Sequence, residues 1–235
     1  MKFSFSEWFI KKFSKYLLKT GPSTRAYLCD FDHILEKVQT CDVLLIEGRS
    51  RVSDIIRSIT LSPWTHAVLY IGHPDEIKIP ELREIAKRQS EKLSSTQLVI
   101  ESDVGIGTVI SPIEKYKDDH IRILRPMGLK PDDAQKVINA ALQRLGTHYN
   151  IRHVLDLARF LFPWSIFPRR WRSTLFQTNA LKPTQEICSS MIAGAFTAAH
   201  FPILPNHNPK LFTPSDFDYS PYFAVIKYPI PPYSN

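Results

Sequence analysis

Residues 62–72 read SPWTHAVLYIG, and this stretch decides how the chain around it is interpreted. The segment after the proline is a continuous apolar run opened by His66, which predicts a buried β-strand. Residues 41–48 (CDVLLIEG) form another short apolar run and predict a second buried strand before it. Between the two, residues 52–59 have valine and isoleucine at helical spacing, so a short helix is expected to end at Pro63.

Further apolar runs downstream predict more strands than helices. Strands are expected at residues 97–102 (QLVIES), 107–110, 120–124 (HIRIL) and 222–228 (YFAVIKY). The polar, charged residues 74–96 indicate an insertion that carries one surface helix. Because several strands precede two helices with little alternation, the expected fold class is α+β, a mostly antiparallel sheet packed against helices.

Two helices are indicated in the second half of the chain. The first begins at Pro131, a residue that suits the first helical position, and Gly146 suits its C-terminal cap. The second covers residues 187–200 (ICSSMIAGAFTAAH), whose small apolar side chains indicate a buried helix. Cys188 is therefore expected where a helix begins.

The composition excludes several classes of protein. Of 235 residues, 43% are hydrophobic and 23% are charged, close to globular averages, which argues against disorder, collagen and coiled coil. Neither G-x-x-x-x-G-K-[ST] nor G-x-G-x-x-G occurs, which removes the common nucleotide-binding loops. Three cysteines without a C-x-x-C pair cannot build a disulfide framework or a cysteine-rich zinc site, so a reducing compartment is expected.

The net charge of +7 is concentrated in two stretches, residues 1–20 and 151–176, which carry +4 each and hold 12 of the 27 aromatic residues. Basic and aromatic side chains together are typical of segments that bind an anionic membrane surface. The open alternative is that the aromatic side chains pack on the domain while the lysines face water. On the membrane interpretation, the residues facing lipid are Trp8, Phe9, Lys11, Lys12, Trp164, Arg169, Arg170, Trp171 and Arg172.

Neither basic stretch predicts a signal peptide or a spanning helix, because the longest apolar run near the N-terminus is only residues 8–10. The protein is therefore expected in the cytoplasm or at a membrane surface. Residues 1–40 predict an N-terminal amphipathic helix and a connector. Residues 41–235 predict one domain with insertions at about 74–96 and 151–183.

Three residues could together carry chemistry: His66, Glu101 and Cys188. A thiol at a helix N-terminus is favoured as the thiolate, and a neighbouring imidazole can take its proton. A carboxylate on the far ring nitrogen would fix the histidine tautomer. Spacing alone leaves the ordinary alternatives open: a cysteine packed in the core, a histidine that only bridges strand ends, and an exposed glutamate.

Several segments carry a family resemblance: DVLLIEG (42–48), SPWTHAVLYIG (62–72), VIESDVGIGTVISPI (99–113), LGTHYNI (145–151), EICSSMIAGAF (186–196) and LFTPSDF (211–217). In that order they resemble the circularly permuted papain-like hydrolases of the YiiX/YebB type. These are relatives of the NlpC-type cell-wall peptidases and of lecithin retinol acyltransferase-like enzymes. In the permuted family the histidine comes first, the polar third member next and the cysteine last. His66, Glu101 and Cys188 follow this order.

The resemblance implies a permuted papain-like fold over about residues 41–228, with a cysteine-dependent site. Cys188 would be the nucleophile, His66 the base and Glu101 the residue that orients the base. The oxyanion would be met at the start of the helix that bears Cys188, with the Cys188 backbone N–H as a donor. This chain departs from family usage at two positions: Cys41 lies where the family usually has glycine, and Asn150 lies where aspartate is common.

The implied activity is that of an amidase or peptidase that forms an acyl-thioester. Tyr149, Trp64 and Ser189 are expected to line the substrate pocket. The two basic aromatic stretches favour a membrane-associated or lipid-like substrate. The alternatives are a lipid acyltransferase or thioesterase of the lecithin retinol acyltransferase-like kind, and a catalytically silent membrane-docking protein. Retention of all three site residues favours an enzyme.

No cofactor is expected. The remaining histidines, such as His148 and His153, have no carboxylate or second cysteine at ligand spacing, so no metal site is expected. The two basic stretches lack a nucleic-acid-binding motif between them. The expected partners are therefore an acyl or amide substrate and an anionic membrane surface, and not nucleic acid.

Overall fold

An antiparallel sheet forms the centre of the fold. The computed structural model describes Gly21 and residues 30–103, 106–147, 189–205 and 212–227. Within this part of the chain, the sheet has six strands in the order β4-β3-β2-β1-β5-β6. Their bounds are β1 Val43–Glu47, β2 His66–Gly72, β3 Leu98–Asp103, β4 Gly107–Pro112, β5 His120–Pro126 and β6 Phe223–Ile226.

Apart from Glu47 at the end of β1 and His66 at the start of β2, the middle strands are apolar because both faces of the sheet are covered. All five residues of β1 are buried, and β2 is buried after its first residue. Val43 pairs with Leu69 of β2 on one side and with Leu124 of β5 on the other, both antiparallel. Continuous apolar runs are typical of strands that are covered on both faces, whereas strands with one face in water alternate between apolar and polar residues.

Helices and 3₁₀ turns occupy the connections between strands. Capping side chains explain where two of the helices begin. The Ser50 side chain accepts from Ser53 N before the helix Arg51–Thr60, and Thr213 forms a capping box with Asp216 before the helix Pro214–Asp218. The helices are α1 Phe31–Lys37, α2 Arg51–Thr60, α3 Pro80–Leu93, α4 Pro131–Leu142, α5 Ser189–Ala198 and α6 Pro214–Asp218; 3₁₀ helices cover Pro74–Glu76 and Ile113–Tyr116.

The two faces of the sheet bury different elements. On one face, α4 and α5 pack on each other and on odd-numbered residues of the middle strands, such as Leu45 and Leu69. On the other face, α1 and the 3₁₀ helix Ile113–Tyr116 cover even-numbered residues of β1 and β2, such as Leu44 and Val68. This alternation decides which side chains can meet at the end of each strand.

One edge of the sheet collects polar side chains from several strands. Glu47 ends β1, His66 begins β2, Glu101 lies in the last half of β3 and His120 begins β5. The register brings these strand ends together, since Ile46 pairs with His66 and Glu47 with His120. The candidate site lies at this edge.

The expected α+β class and the antiparallel sheet are confirmed. Each predicted strand has a counterpart, although the last is shorter, Phe223–Ile226 instead of residues 222–228. The helix that begins at Pro131 ends at Leu142, and Gly146 follows in a left-handed turn with φ 73°. The region 74–96 holds a 3₁₀ helix and α3. The domain boundaries stay a prediction.

The two basic aromatic stretches, residues 1–20 and 151–176, lie outside the described residues. So do all nine side chains expected to face lipid. In the part of the chain that the structure describes, no helix is both long and apolar enough to span a bilayer.

Candidate active site

A histidine–carboxylate pair occupies the edge of the sheet where β2 begins. His66 Nε2 lies 2.9 Å from Glu101 Oε2 on the neighbouring strand β3. The Glu101 side chain is 1% exposed, and that of His66 is 21% exposed. The structure therefore joins two of the three residues that the sequence predicted to act together, with the ring at the surface and the carboxylate beneath it.

Two residues of the 3₁₀ helix Ile113–Tyr116 complete the surroundings of the carboxylate. The Tyr116 hydroxyl donates to Glu101 Oε2 at 2.5 Å, and Lys115 Nζ donates to Glu101 Oε1 at 2.6 Å. The segment is held against the sheet because Ile113 is fully buried and its backbone N–H donates to Gln97 O. Sequence reasoning missed both residues.

Glu101 is held as a carboxylate ion. Burial alone would raise the pKa of its side chain, but the hydrogen bond and charge of His66 and then the ammonium of Lys115 lower it well below its ordinary value. An ionised carboxylate only accepts hydrogen bonds, so His66 Nε2 must donate. A neutral His66 ring consequently has its lone pair on Nδ1, the nitrogen that can accept a proton from a nucleophile.

The first turn of α5 lies near the same edge of the sheet. Gly146 N donates to Thr108 O at the start of β4, which places the end of the α4 region there. From this turn, Arg144 Nη1 donates to Met191 O in α5 at 3.0 Å. Gly194 is needed for this contact, since a Cβ there would lie 2.5 Å from the Arg144 guanidinium.

Ser189, the first residue of α5, is fully buried. Cys188 directly precedes it in the chain but lies outside the described residues, as does Tyr149. The role of Cys188 as the nucleophile stays a prediction.

A second histidine–carboxylate pair lies at the same edge and was not singled out from the sequence. His120 Nδ1 is 3.0 Å from Glu47 Oε2, and Arg57 Nη2 is 3.9 Å from Glu47 Oε1. Glu47 shares its side of β1 with Val43 and Leu45, so this pair lies on the face covered by α4 and α5. The sequence could have indicated His120 as a candidate, because it begins a strand as His66 does.

Trp64, one of the expected pocket residues, is packed within this second cluster. Its ring lies 5.3 Å from that of His120 and 4.7 Å from the Arg122 guanidinium, measured to ring centroids. Its indole Nε1 donates to Asp218 Oδ2 at 3.1 Å, and the whole residue is 2% exposed. Its role in a substrate pocket stays a prediction, and so does that of Ser189.

Among the described residues, no group of three or more His, Cys, Asp or Glu side chains is arranged to hold a metal ion. Two histidine–carboxylate pairs, His66–Glu101 and His120–Glu47, lie at this edge in the described part of the chain. Both are suited to proton transfer or to fixing an imidazole tautomer.

Residues 37–160 match the profile of a family described as permuted papain-like amidase enzymes, YaeF/YiiX, C92 family. The chain belongs to this family. The resemblance inferred from the sequence motifs is thereby confirmed, and the matched residues include both His66 and Glu101. Cys188 lies beyond the matched range.

Among solved structures, the crystal structure of metalloprotein yiiX from Escherichia coli O157:H7 is similar, with a TM-score of 0.48 and 17% sequence identity. The likeness covers 82% of this chain and 98% of that chain. A comparison with curated proteins gives no match. The permuted papain-like amidase family is thus what establishes the class of the chain.

Proposed function

We propose that this member of the permuted papain-like amidases is a cysteine hydrolase in which Cys188 is the nucleophile, His66 the base and Glu101 the orienting residue. The observation that carries the proposal is the hydrogen-bonded pair at the edge of the sheet, in which His66 Nε2 lies 2.9 Å from Oε2 of the buried Glu101. This contact leaves Nδ1 as the basic atom, and it fixes the plane of the ring.

The reaction balances with these three groups and water. His66 Nδ1 takes the Cys188 thiol proton, the thiolate sulfur attacks the amide carbonyl carbon, and the carbonyl π electrons move to the oxygen. The oxyanion collapses, the C–N bond breaks, and the imidazolium returns the proton to the leaving amine. A water then attacks the thioester, again losing a proton to His66, and the C–S bond breaks to release the acid and the thiol.

The start of α5 supports a site for the oxyanion. The first N–H groups of a helix have no partner within the helix, and they carry the positive end of its dipole. We propose that the Cys188 backbone N–H meets the oxyanion, since Arg144 fixes the first turn of α5 near the sheet edge.

The proposal requires the thiol to meet His66 at the end of the strand. Alternation along β2 puts His66 on the side of Val68 and Tyr70, whereas α5 packs on the side of Leu69. A thiol just before α5 would reach His66 Nδ1 past the edge of the sheet. His120 lies on the side of α5 and is the competing base. Replacing each of the two histidines in turn therefore gives a matched pair of variants.

The substrate class proposed is a peptide or N-acyl amide. The amidase description of the family supports the amide, and the two basic aromatic stretches of the sequence support a lipid-like or membrane-associated acyl donor. Esters and thioesters of lipids are the competing substrates, and transfer to an acceptor is the competing outcome.

The test is turnover of peptide amides, N-acyl amides, lipid esters and lipid thioesters by the full chain, with mass spectrometry of the trapped enzyme. Hydrolysis of an amide, with the acyl mass on the peptide containing Cys188, is the expected result. Cys188→Ala should lose turnover and the adduct while keeping its far-UV spectrum. Cys41→Ala serves as the matched control, because Cys41 is buried in the core. Turnover that survives Cys188→Ala, or an acyl adduct on another residue, contradicts the proposal.

A further inference from the structure

Glu101 receives more hydrogen bonds than the orientation of His66 requires. Its Oε2 accepts from both His66 Nε2 and the Tyr116 hydroxyl, and its Oε1 accepts from Lys115 Nζ. Three donors on a side chain that is 1% exposed fix both its rotamer and its charge. Such a carboxylate cannot swing away from the ring without leaving a buried donor unpaired.

Lys115 shares its charge between two carboxylates. Its Nζ lies 2.6 Å from Glu101 Oε1 and 3.1 Å from Asp103 Oδ2, and it also lies 5.4 Å from the centroid of the Tyr116 ring. Burial would lower the pKa of Lys115, but the charges of Glu101 and then Asp103 raise it above its ordinary value. Lys115 is therefore a permanent cation on the far side of Glu101 from His66.

We propose that Lys115 and Tyr116 are positioning residues that set the proton affinity of His66 through Glu101. This rests on the proposed function of the site, in which His66 is the base. Lys115 offsets the charge of Glu101, and Tyr116 anchors the same oxygen that contacts the ring. Together they let Glu101 orient His66 without holding the ring permanently as imidazolium.

The physical reason is the balance of charge at the ring. A buried carboxylate 2.9 Å from an imidazole, with no other cation, strongly favours the charged ring. A cation on the other carboxylate oxygen opposes this and so weakens the preference for the charged ring. In the described part of the chain, the contacts at Glu101 bring together two charged groups besides the pair, Lys115 on the 3₁₀ helix and, through Lys115, Asp103 on β3; Tyr116 is a neutral donor.

The sequence supports this arrangement only indirectly. Lys115 and Tyr116 lie three and four residues after the end of β4. They reach back to β3 because Ile113 and Tyr116 are both buried against the sheet. A 3₁₀ turn places residues at this spacing on the same side. The same turn carries Lys115 over the end of β3.

The test is an NMR titration of the His66 ring in the full chain, with ¹⁵N-labelled histidine and Cys188→Ala throughout so that no thiol titrates beside the ring. His66→Gln assigns the signal. Lys115→Met should raise the pH midpoint of the His66 titration by about one unit, and Lys115→Arg should restore it. Tyr116→Phe should raise it by a smaller amount. In every variant the neutral ring should carry its proton on Nε2.

An unchanged or lowered midpoint in Lys115→Met, or a neutral ring protonated on Nδ1, overturns the inference. If Lys115→Met does not fold, Tyr116→Phe still decides it, since a merely structural role of Tyr116 would leave the midpoint of that folded variant unmoved. The readout is separate from turnover. If the midpoint shifts but activity survives Cys188→Ala, the positioning roles are supported and the proposed function is contradicted. If the midpoint does not shift but Cys188→Ala abolishes activity, the proposed function is supported and the positioning roles are contradicted.

Discussion

Replacing Glu101 by glutamine tests how the buried carboxylate stabilises the edge of the sheet. Glutamine has the same shape, and its amide oxygen can still accept from His66 and Tyr116 at the position of Oε2. Its NH₂ group then lies where Oε1 met Lys115 Nζ at 2.6 Å. Two donors cannot pair, so Lys115 must turn to Asp103 and to water.

The magnitude follows from these contacts. Hydrogen bonds to a charged acceptor are roughly twice as strong as neutral ones, so the two at Oε2 lose about 1 kcal/mol each. The Lys115 pair contributes less than about 1 kcal/mol, since that side chain is 38% exposed and solvent screens it. A gain from burying an uncharged group offsets part of the loss. We expect the free energy of unfolding of Glu101→Gln to be about 2 kcal/mol lower than that of the parent, and its melting temperature to be roughly 4–8 °C lower.

The pH dependence gives a sharper signature. The folded chain lowers the pKa of Glu101, so its contribution to stability is fully present above its unfolded value of 4.5 and is lost as the pH falls toward the folded value. The difference in unfolding free energy between the parent and Glu101→Gln should be present at pH 7. It should shrink below about pH 4.5 by at most about 1.4 kcal/mol per pH unit.

Thermal and denaturant unfolding, followed by circular dichroism at pH 7 and at pH 4, provide the measurement. Glu114→Gln is the matched control, because Glu114 is an exposed carboxylate of the same 3₁₀ helix and should change stability by less than about 0.5 kcal/mol. Equal melting temperatures for Glu101→Gln and the parent, or a difference that does not shrink with acid, would refute the reasoning.

Two other predictions concern the helix start and the surface. Arg144→Met should remove the side-chain hydrogen bond to Met191 O, a carbonyl that keeps its helical position in α5, so stability should fall by about 1 kcal/mol and alkylation of Cys188 should slow. Lys136→Met, at an exposed salt bridge of α4, is the control that stopped-flow labelling and melting should find unchanged. If the basic stretches 1–20 and 151–176 bind membranes, the full chain should co-sediment with anionic vesicles at low salt and less so at high salt. Removing residues 1–20, or changing Arg169, Arg170 and Arg172 to Ala, should weaken this co-sedimentation. Protein that stays in the supernatant at low salt contradicts membrane binding.

The strands could be predicted because the chemistry that makes them is local. β1 and β2 are apolar apart from Glu47 and His66 at their ends, and the runs CDVLLIEG and THAVLYIG show this without any knowledge of their neighbours. The order of His66 and Glu101 along the chain was likewise readable. Their direct contact depends on β2 and β3 being adjacent and antiparallel, which the structure shows.

The remaining parts of the site depend on contacts between distant residues. Lys115 and Tyr116 reach Glu101 only because a 3₁₀ helix folds back over β3, and nothing in the letters IEKY indicates that direction. His120 meets Glu47 across 73 residues because β5 lies beside β1 in the sheet. Register between non-adjacent segments is set by the whole sheet and cannot be read from either segment alone.

Cys41 illustrates a departure that only the structure explains. It has φ 72°, in the left-handed region that favours glycine, which fits the family's usual glycine at this position. The thiol is buried and donates to Ala134 O at 3.3 Å, so its side chain packs in the core despite the backbone conformation. Burial and the charge of Asp42 raise the pKa of Cys41 to about 12, which makes it an unreactive thiol.

The central claim is that His66 activates Cys188, and the rate of alkylation of each cysteine tests it most directly. Iodoacetamide at neutral pH, quenched at intervals and read by peptide mass spectrometry, should label Cys188 well ahead of Cys29 and Cys41. His66→Ala should slow labelling of Cys188 at least tenfold, while His120→Ala should leave it within about twofold. Equal labelling of all three cysteines, or slowing by His120→Ala and not by His66→Ala, would contradict the account.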